Sequence, residues 1–456
     1  VFRGKLALVI DRARLAIVAG RKSVMRPGPA QDTFILALSV VVGVIGAISA
    51  AVFYWLIRMA NAGLVNAPVQ FWPAAASWPY RIVLMGGCLA LAAWIVRRVG
   101  DGYDGLNVPD VSVAVDQHGG RLPGRPAVAK TLASAVTVGG GGSAGSEGPI
   151  AVLSAAVASQ MASRLGLAPR QVRTLVGAGA GAGIAAAFNV PLAGAFFALE
   201  EILRSFSSVA FAPVVVSSVV GAVVGQALMG SHPAFSAPLI VGYQFDSELF
   251  FFYPLLGILA GIISAVFIRL EGTVARHRWR ALIPGRLIPF VGGAIVALAV
   301  LLSGGVLAGR GHIEVDLPQL ASMSWQVALL LAVSKAVVTA VTLNSGGSGG
   351  VFAPALAIGA FTGAAVAGII RVVFPDLPVD PTAYIVVGMG CVIAAATGAT
   401  LTGLFFVFEL SRNYALMMPL MMAVVLATVV RRSLTKHNLY SAWLERTGRQ
   451  SPSDPV

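Results

Sequence analysis

Gly145-Ser146-Glu147-Gly148-Pro149 sets one carboxylate between glycines, just ahead of a proline and at the entrance to an apolar run. Proline suits the first turn of a helix, and glycine lets backbone N–H groups converge on one point. The unpaired N–H groups and positive dipole end of such a helix attract an anion. Glu147 is therefore either an acid capping its own helix or a tethered anion competing with a free one. Gly350-Val351-Phe352-Ala353-Pro354 offers the same donors without an acid. Two anion-binding turns, one carrying a carboxylate and one open, describe a shared site with a gate.

Other residues could join that chemistry. Lys130 and Lys335 each lie twelve residues before a Gly-Ser turn. A cation in an apolar helix either snorkels to an interface or raises the positive potential along an anion path. Glu200 and Glu201 end the run Phe-Phe-Ala-Leu-Glu-Glu, and an isolated acid deep in an apolar protein is a candidate proton relay. Tyr440 and Trp443 follow the last apolar run, as an interfacial aromatic belt would. Gly141-Gly142-Ser143-Ala144-Gly145 and Gly346-Gly347-Ser348-Gly349-Gly350 both satisfy the hydrolase pattern G-x-S-x-G. The pattern is duplicated, however, and the five histidines (118, 232, 277, 312, 437) fall in polar loops or near the C-terminus, so an intramembrane serine hydrolase is a remote reading. The GxG spacing at 177–183 has neither a strand before it nor a ribose-binding acid after it, and no His/Cys/Asp cluster has metal-ligand spacing. No cofactor and no metal are expected.

The elements that position these residues follow from composition. The 456 residues are 57% hydrophobic and 11% charged, against about a quarter charged in soluble domains. A bilayer solvates such a chain, so a polytopic all-α membrane protein follows. The net charge of +13 would suggest nucleic acid in a soluble chain. Here seven basic residues crowd positions 1–26 and five crowd 431–456, which points to contact with anionic lipid, both termini in the cytoplasm and an even number of crossings. Cys88 and Cys391 sit in apolar runs as packing residues, and no cleavable signal is expected. Apolar runs cover about 33–60, 80–99, 127–138, 149–163, 172–203, 209–229, 249–270, 287–308, 324–343, 351–374, 382–410 and 415–430. Several are too short or too glycine-broken for plain spans, and broken membrane segments survive only where protein or a cavity surrounds them.

The breaks repeat. Residues 130–149 match 335–354 at nine of twenty positions, including Lys130/Lys335, Ser143/Ser348 and Pro149/Pro354. Residues 179–200 match 388–409 at eleven of twenty-two, including Phe196-Phe197/Phe405-Phe406 and Glu200/Glu409. Matched broken segments suit an inverted pair of halves with the binding site between them. Glu200, which has a repeat partner, is expected to bond the start of a following turn. Glu201 pairs with Leu410 and so breaks the repeat, which favours a function for it.

Together and in order, these motifs resemble the CLC family of chloride channels and proton/chloride exchangers, over about residues 33–445. GSEGP is similar to the family's GREGP, GVFAP to GxFxP, and Gly105-Leu106-Asn107-Val108-Pro109 to GSGIP. Residues 185–201 and Asn438-Leu439-Tyr440-Ser441 are similar to further family segments. The resemblance implies a homodimer of two inverted halves per subunit, with a separate anion pathway in each subunit. It assigns Glu147 as the gating glutamate, Glu201 as the internal proton-transfer glutamate of exchangers, and Tyr440 as the hydroxyl on the central anion. Backbone donors of Val351 and Phe352 belong to the central site, and those of Ser146, Glu147, Gly148 and Ala353 to the outer one. Gly105, Leu106 and Asn107 complete the anion set. Ser146 stands in place of the family arginine, Leu106 in place of the serine linked to anion choice, and Asn107 in place of the following glycine, so a hydroxyl donor is absent unless Asn107 substitutes.

The expected protein is a proton-coupled anion antiporter of the prokaryotic type, with chloride the default anion and no CBS-type pair in the residues after Tyr440. A passive channel, or a member selective for nitrate or fluoride, is the alternative. The expected organisation is a basic cytoplasmic segment at 1–32, transmembrane repeats at 33–240 and 241–445, and a cytoplasmic tail at 446–456, in the inner membrane. Its partners are the anion, protons, membrane lipid and a second copy of the chain, with no nucleic acid.

Overall fold

Long apolar segments free of interior breaks form long helices. A computed structural model describes residues 29–68, 78–100, 106–230, 247–276, 283–309 and 317–449. The basic residues of 1–26, Gly105, the expected boundary near 240 and three of the histidines (232, 277 and 312) lie outside the described residues. In the first half, α1 spans Pro29–Asn61, α2 Trp78–Val99, α3 Val108–Gln117, α4 Gly124–Gly139, α5 Glu147–Arg164, α6 Pro169–Phe188, α7 Pro191–Phe197 and α8 Ser208–Met229. In the second half, α9 spans Phe252–Arg276, α10 Ile288–Leu302, α11 Trp325–Asn344, α12 Phe352–Val373, α13 Pro381–Thr397, α14 Thr400–Ser411, α15 Met417–Leu434 and α16 Leu439–Arg446. Seven helical segments are long and apolar enough to cross a bilayer, among the described residues. The protein is a multi-pass, all-helical membrane protein.

Local chemistry sets the ends. Asp32 in the first turn of α1 and Arg58 in the last both suit the helix dipole. Asp380 caps α13 by accepting the Thr382 N–H at 2.9 Å, and Asn438 and Ser441 cap α16 reciprocally, at 2.7 and 2.9 Å. The run 172–203, continuous in hydropathy, breaks after Phe188 because Asn189 takes the left-handed conformation and Pro191 starts a new helix. The run 382–410 breaks likewise at Gly398, φ 92°.

α6, α12 and α13 are buried along almost their whole length, which their Ala and Gly content permits by close backbone approach. α12 packs on α13, and α6 lies against α5 and α8. α8 and α15 turn apolar side chains outward, among them Val223 and Met418.

The halves are related by a two-fold whose equivalent residues touch one another. Gly145 and Gly350 exchange two backbone hydrogen bonds, each 2.8 Å, as an antiparallel bridge. Thr342 accepts the Ser143 N–H, and Thr137 accepts the Ser348 N–H. Phe196 stacks on Phe405 with centroids 4.3 Å apart. Reciprocal contacts between equivalent residues require two-fold symmetry, and the antiparallel bridge reverses the chain direction across it. The fold is an inverted repeat with its broken helices meeting at the centre.

Candidate functional site

Two matched turns make the centre possible. Gly141 and Gly346 occupy equivalent positive-φ positions, 96° and 103°, which side chains other than glycine rarely adopt. Each turn swings the chain from the end of one helix (α4, α11) to the start of the next (α5, α12). The N-termini of α5 and α12 therefore approach the same point from opposite halves.

Glu147 opens α5, and its repeat equivalent Phe352 opens α12. The Glu147 carboxylate accepts the Phe352 N–H at 2.7 Å and also faces the Ala353 N–H. The open donors of the second half are thus occupied by the acid of the first. A Cβ on Gly145 or on Gly350 would overlap that carboxylate, so both glycines are needed to seat it. The Phe352 ring packs edge-on to Phe406, with centroids 5.1 Å apart, and beside Phe197 and Phe188, which walls the site with hydrocarbon.

A cavity of about 320 Å³ adjoins the carboxylate. Asn107, Lys130, Glu147, Gly148, Val351 and Tyr440 all line it. Lys130 is buried, donates to the Gly349 carbonyl at 3.1 Å, and lies within electrostatic range of both Asp110 and Glu147. Lys335 behaves differently from its repeat partner. Its ammonium donates to the carbonyls of Leu307, at 2.9 Å, and of Ala308 and Gly309, in the loop after α10. It ties that loop down, while Gly309 in turn donates to the Gly141 carbonyl. Neither lysine snorkels.

The remaining expected site residues are placed as follows. Ser146 is fully buried beside the carboxylate turn, and Ala353 is buried in the first turn of α12. Leu106 is buried and apolar immediately before the start of α3, while the backbone N–H of Asn107 donates to Asp110 Oδ2 at 2.7 Å. Tyr440 is buried at the start of α16, lines the cavity beside Glu147, and lies within electrostatic range of both Glu147 and Glu201. It is no exposed interfacial residue.

Glu201 sits in a π-helical turn, Ala198–Ile202, which continues α7. Such turns recur at functional sites because they re-aim one side chain. Glu200 accepts the Leu401 and Thr402 N–H groups at 3.1 and 2.9 Å, and Glu409 accepts those of Leu192 and Ala193, both at 2.8 Å. Glu200 therefore caps a helix of the opposite half, not a following turn of its own. Glu201 is buried next to Glu200 and Arg204 and lines a second cavity of about 950 Å³.

Some lining residues escaped the motif reading. Arg446 pairs with Glu271 at 2.8 Å and lies over the Trp443 ring, and all three line the cavity beside Tyr440. The sequence carried one signal for them, an acid at 271 closing an otherwise apolar run. Ser143 bonds Thr339, and Ser348 bonds Ser134, hydroxyl to hydroxyl. Both serines are thereby structural links between the halves.

A buried carboxylate held by helix N-termini from two inverted halves, beside a cavity that Lys130 and Arg446 also line, defines a broken-helix membrane transport fold. The chain belongs to the voltage-gated chloride channel (CLC) family, whose model matches residues 86–432. It is 29% identical over 383 residues to the H(+)/Cl(-) exchange transporter ClcA of Vibrio campbellii, covering 81% of this chain and 80% of that one. It is 28% identical over 429 residues to the ClcA of Yersinia pseudotuberculosis, covering 91% and 87%. Among solved structures, a slow cyanobacterial Cl-/H+ antiporter superposes with a TM-score of 0.80 at 25% identity, over 91% of this chain and 97% of that one. A CLC-type fluoride/proton antiporter shares the fold, with a TM-score of 0.72 at 21% identity over 91% and 99%.

Proposed function

We propose that this chain exchanges chloride for protons across a bacterial inner membrane. The observation that carries the reading is the 2.7 Å bond from the Phe352 N–H to Glu147. An ionised carboxylate occupies donors that a chloride would use, and protonation removes the charge that holds it there. Chloride then takes the vacated donors, with the backbone N–H groups of Val351, Phe352 and Ala353 and the Tyr440 hydroxyl replacing its water. Glu201 passes protons between the larger cavity and Glu147, and Tyr440 lies within electrostatic range of both acids. Lys130 supplies the positive field of the anion cavity. Gly148, Ser146 and Asn107 complete the polar wall around the path, and Leu106 contributes no donor.

The relatives named as H(+)/Cl(-) exchangers support this reading over a passive channel, as does the acid at 201. On this reading the halves divide near residue 240, both termini are cytoplasmic, and two copies assemble into a homodimer with a pathway in each. Purified protein in liposomes under an imposed chloride gradient, with chloride flux and internal pH recorded together, tests it. Proton movement against its own gradient is expected; chloride flux without it would leave a channel.

A further inference from the structure

The larger cavity is unusual in what lines it. Arg204, Arg431, Arg432, Lys436 and Arg449 converge on it from three separate segments: the chain after the π-helical turn, the end of α15, and the residues flanking α16. Among the described residues, three acids share the wall. Glu200 is committed to the N–H groups of α14, Glu445 is exposed and lies 3.6 Å from His437, and Glu201 is buried. Arg431 is buried, its Nε fixed on the Ala395 carbonyl at 2.7 Å. Arg204 holds a left-handed backbone, φ 48°, that a non-glycine residue seldom adopts. Basic residues that serve topology alone spread over an exposed surface; these surround a concavity of about 950 Å³. That volume far exceeds the needs of a monovalent halide.

We propose that this cavity binds a phosphate-bearing ligand, either a phospholipid headgroup or a free polyphosphate. Planar guanidinium groups match phosphate oxygens two at a time, and a lysine adds a point charge. Anionic headgroups also concentrate where basic side chains meet the bilayer surface. Phe206, on the cavity wall and 53% exposed, gives an acyl chain an apolar contact there. The site reaches the anion cavity through one chain of contacts. Arg449 pairs with Asp110 Oδ1, Asp110 Oδ2 holds the Asn107 N–H at 2.7 Å, and Asn107 lines the anion cavity. A phosphate competing with Asp110 for Arg449 would loosen that hold. This link to transport rests on the exchange reading above; the binding site does not.

Calorimetric titration of inorganic pyrophosphate into the full chain tests the site, in nanodiscs of phosphatidylcholine and again in nanodiscs containing phosphatidic acid. Saturable binding is expected in neutral discs, weakened at least about tenfold by the exposed double substitution Arg432→Gln/Lys436→Gln. Arg164→Gln, on an exposed position at a different cavity, should leave it unchanged. Binding in both kinds of disc identifies a soluble phosphate ligand, and loss of pyrophosphate binding in phosphatidic acid discs identifies the lipid headgroup. Absence of saturable binding in neutral discs, or equal affinity in the double variant, would overturn the site. No gradient is imposed, so failure of the transport reading would leave these results intact.

Discussion

Glu147→Gln separates a tethered anion from a merely structural acid. The carboxylate occupies the Phe352 N–H at 2.7 Å and is almost wholly buried. A charge-assisted hydrogen bond is worth about 1.5–3 kcal/mol and a neutral one about 0.5–1.5. The glutamine amide can still accept the N–H, so the substitution weakens the tethered occupant by about 1–2 kcal/mol without opening a void. A chloride that must displace this side chain should then bind about 5- to 30-fold more tightly. The comparison is made by calorimetric chloride titration at a pH well above the ordinary carboxylate range, where the wild-type side chain competes fully. In liposomes the same variant should carry chloride and no protons, since the glutamine amide neither gains nor loses a proton in the working pH range. Chloride affinity within about twofold of wild type would show that Glu147 caps its helix and does not compete. Persistent proton movement would refute its place in the proton path.

Glu201→Gln should likewise abolish proton movement while chloride flux survives, because Glu201 lines the larger cavity and not the one beside Glu147; paired flux and pH recording checks it. Glu200→Ala leaves the Leu401 and Thr402 N–H groups without their acceptor. It should lower stability by about 2–4 kcal/mol, seen as a drop in thermal unfolding temperature, with the coupling of surviving protein unchanged. Gly350→Ala puts a methyl group where the Glu147 carboxylate rests, and should mimic Glu147→Gln in liposomes with chloride flux retained and proton flux lost. Leu106→Ser adds a hydroxyl donor at a buried position, and one such bond, about 1 kcal/mol, should tighten chloride binding about fivefold in calorimetric titration.

Much of this site was legible because the chain is duplicated. The glycine turns at 141 and 346, the acid at 147 and its missing counterpart at 352 stand in register in the sequence, and the structure joins them directly. What the repeat concealed was the exchange across it. Glu200 and Glu409 each cap a helix of the other half, since a two-fold carries each acid past its own chain to its partner's. Lys335 matched Lys130 in sequence, yet its direction is set by the carbonyls of the loop after α10, which no alignment displays. Asp110 and Arg449 are 339 positions apart, and Glu271 and Arg446 are 175 apart. Such polar pairs carry no periodicity, and only the packing of α16 against the start of α3 and the end of α9 brings them together.

The two-fold also sorts the central residues by what they do. Thr137 and Thr342, Ser143 and Ser348, Gly145 and Gly350, Phe196 and Phe405, and Glu200 and Glu409 keep the symmetry, and every one of them joins half to half. A contact between equivalents is self-complementary, so a single residue type satisfies both sides at once. Transport needs the opposite, because a site identical from both sides would place two carboxylates on one set of donors. The symmetry breaks where Glu147 faces Phe352 and where Glu201 is matched by Leu410. The first asymmetry puts one acid on two helix N-termini, and the second gives one half an acid on the larger cavity that the other half lacks. Lys130 and Lys335 follow the same logic with identical residues, one lining the cavity beside Glu147 and one spent on a loop. In a duplicated membrane protein, the positions that depart from the repeat inside its most symmetric region are therefore where directional chemistry should be sought.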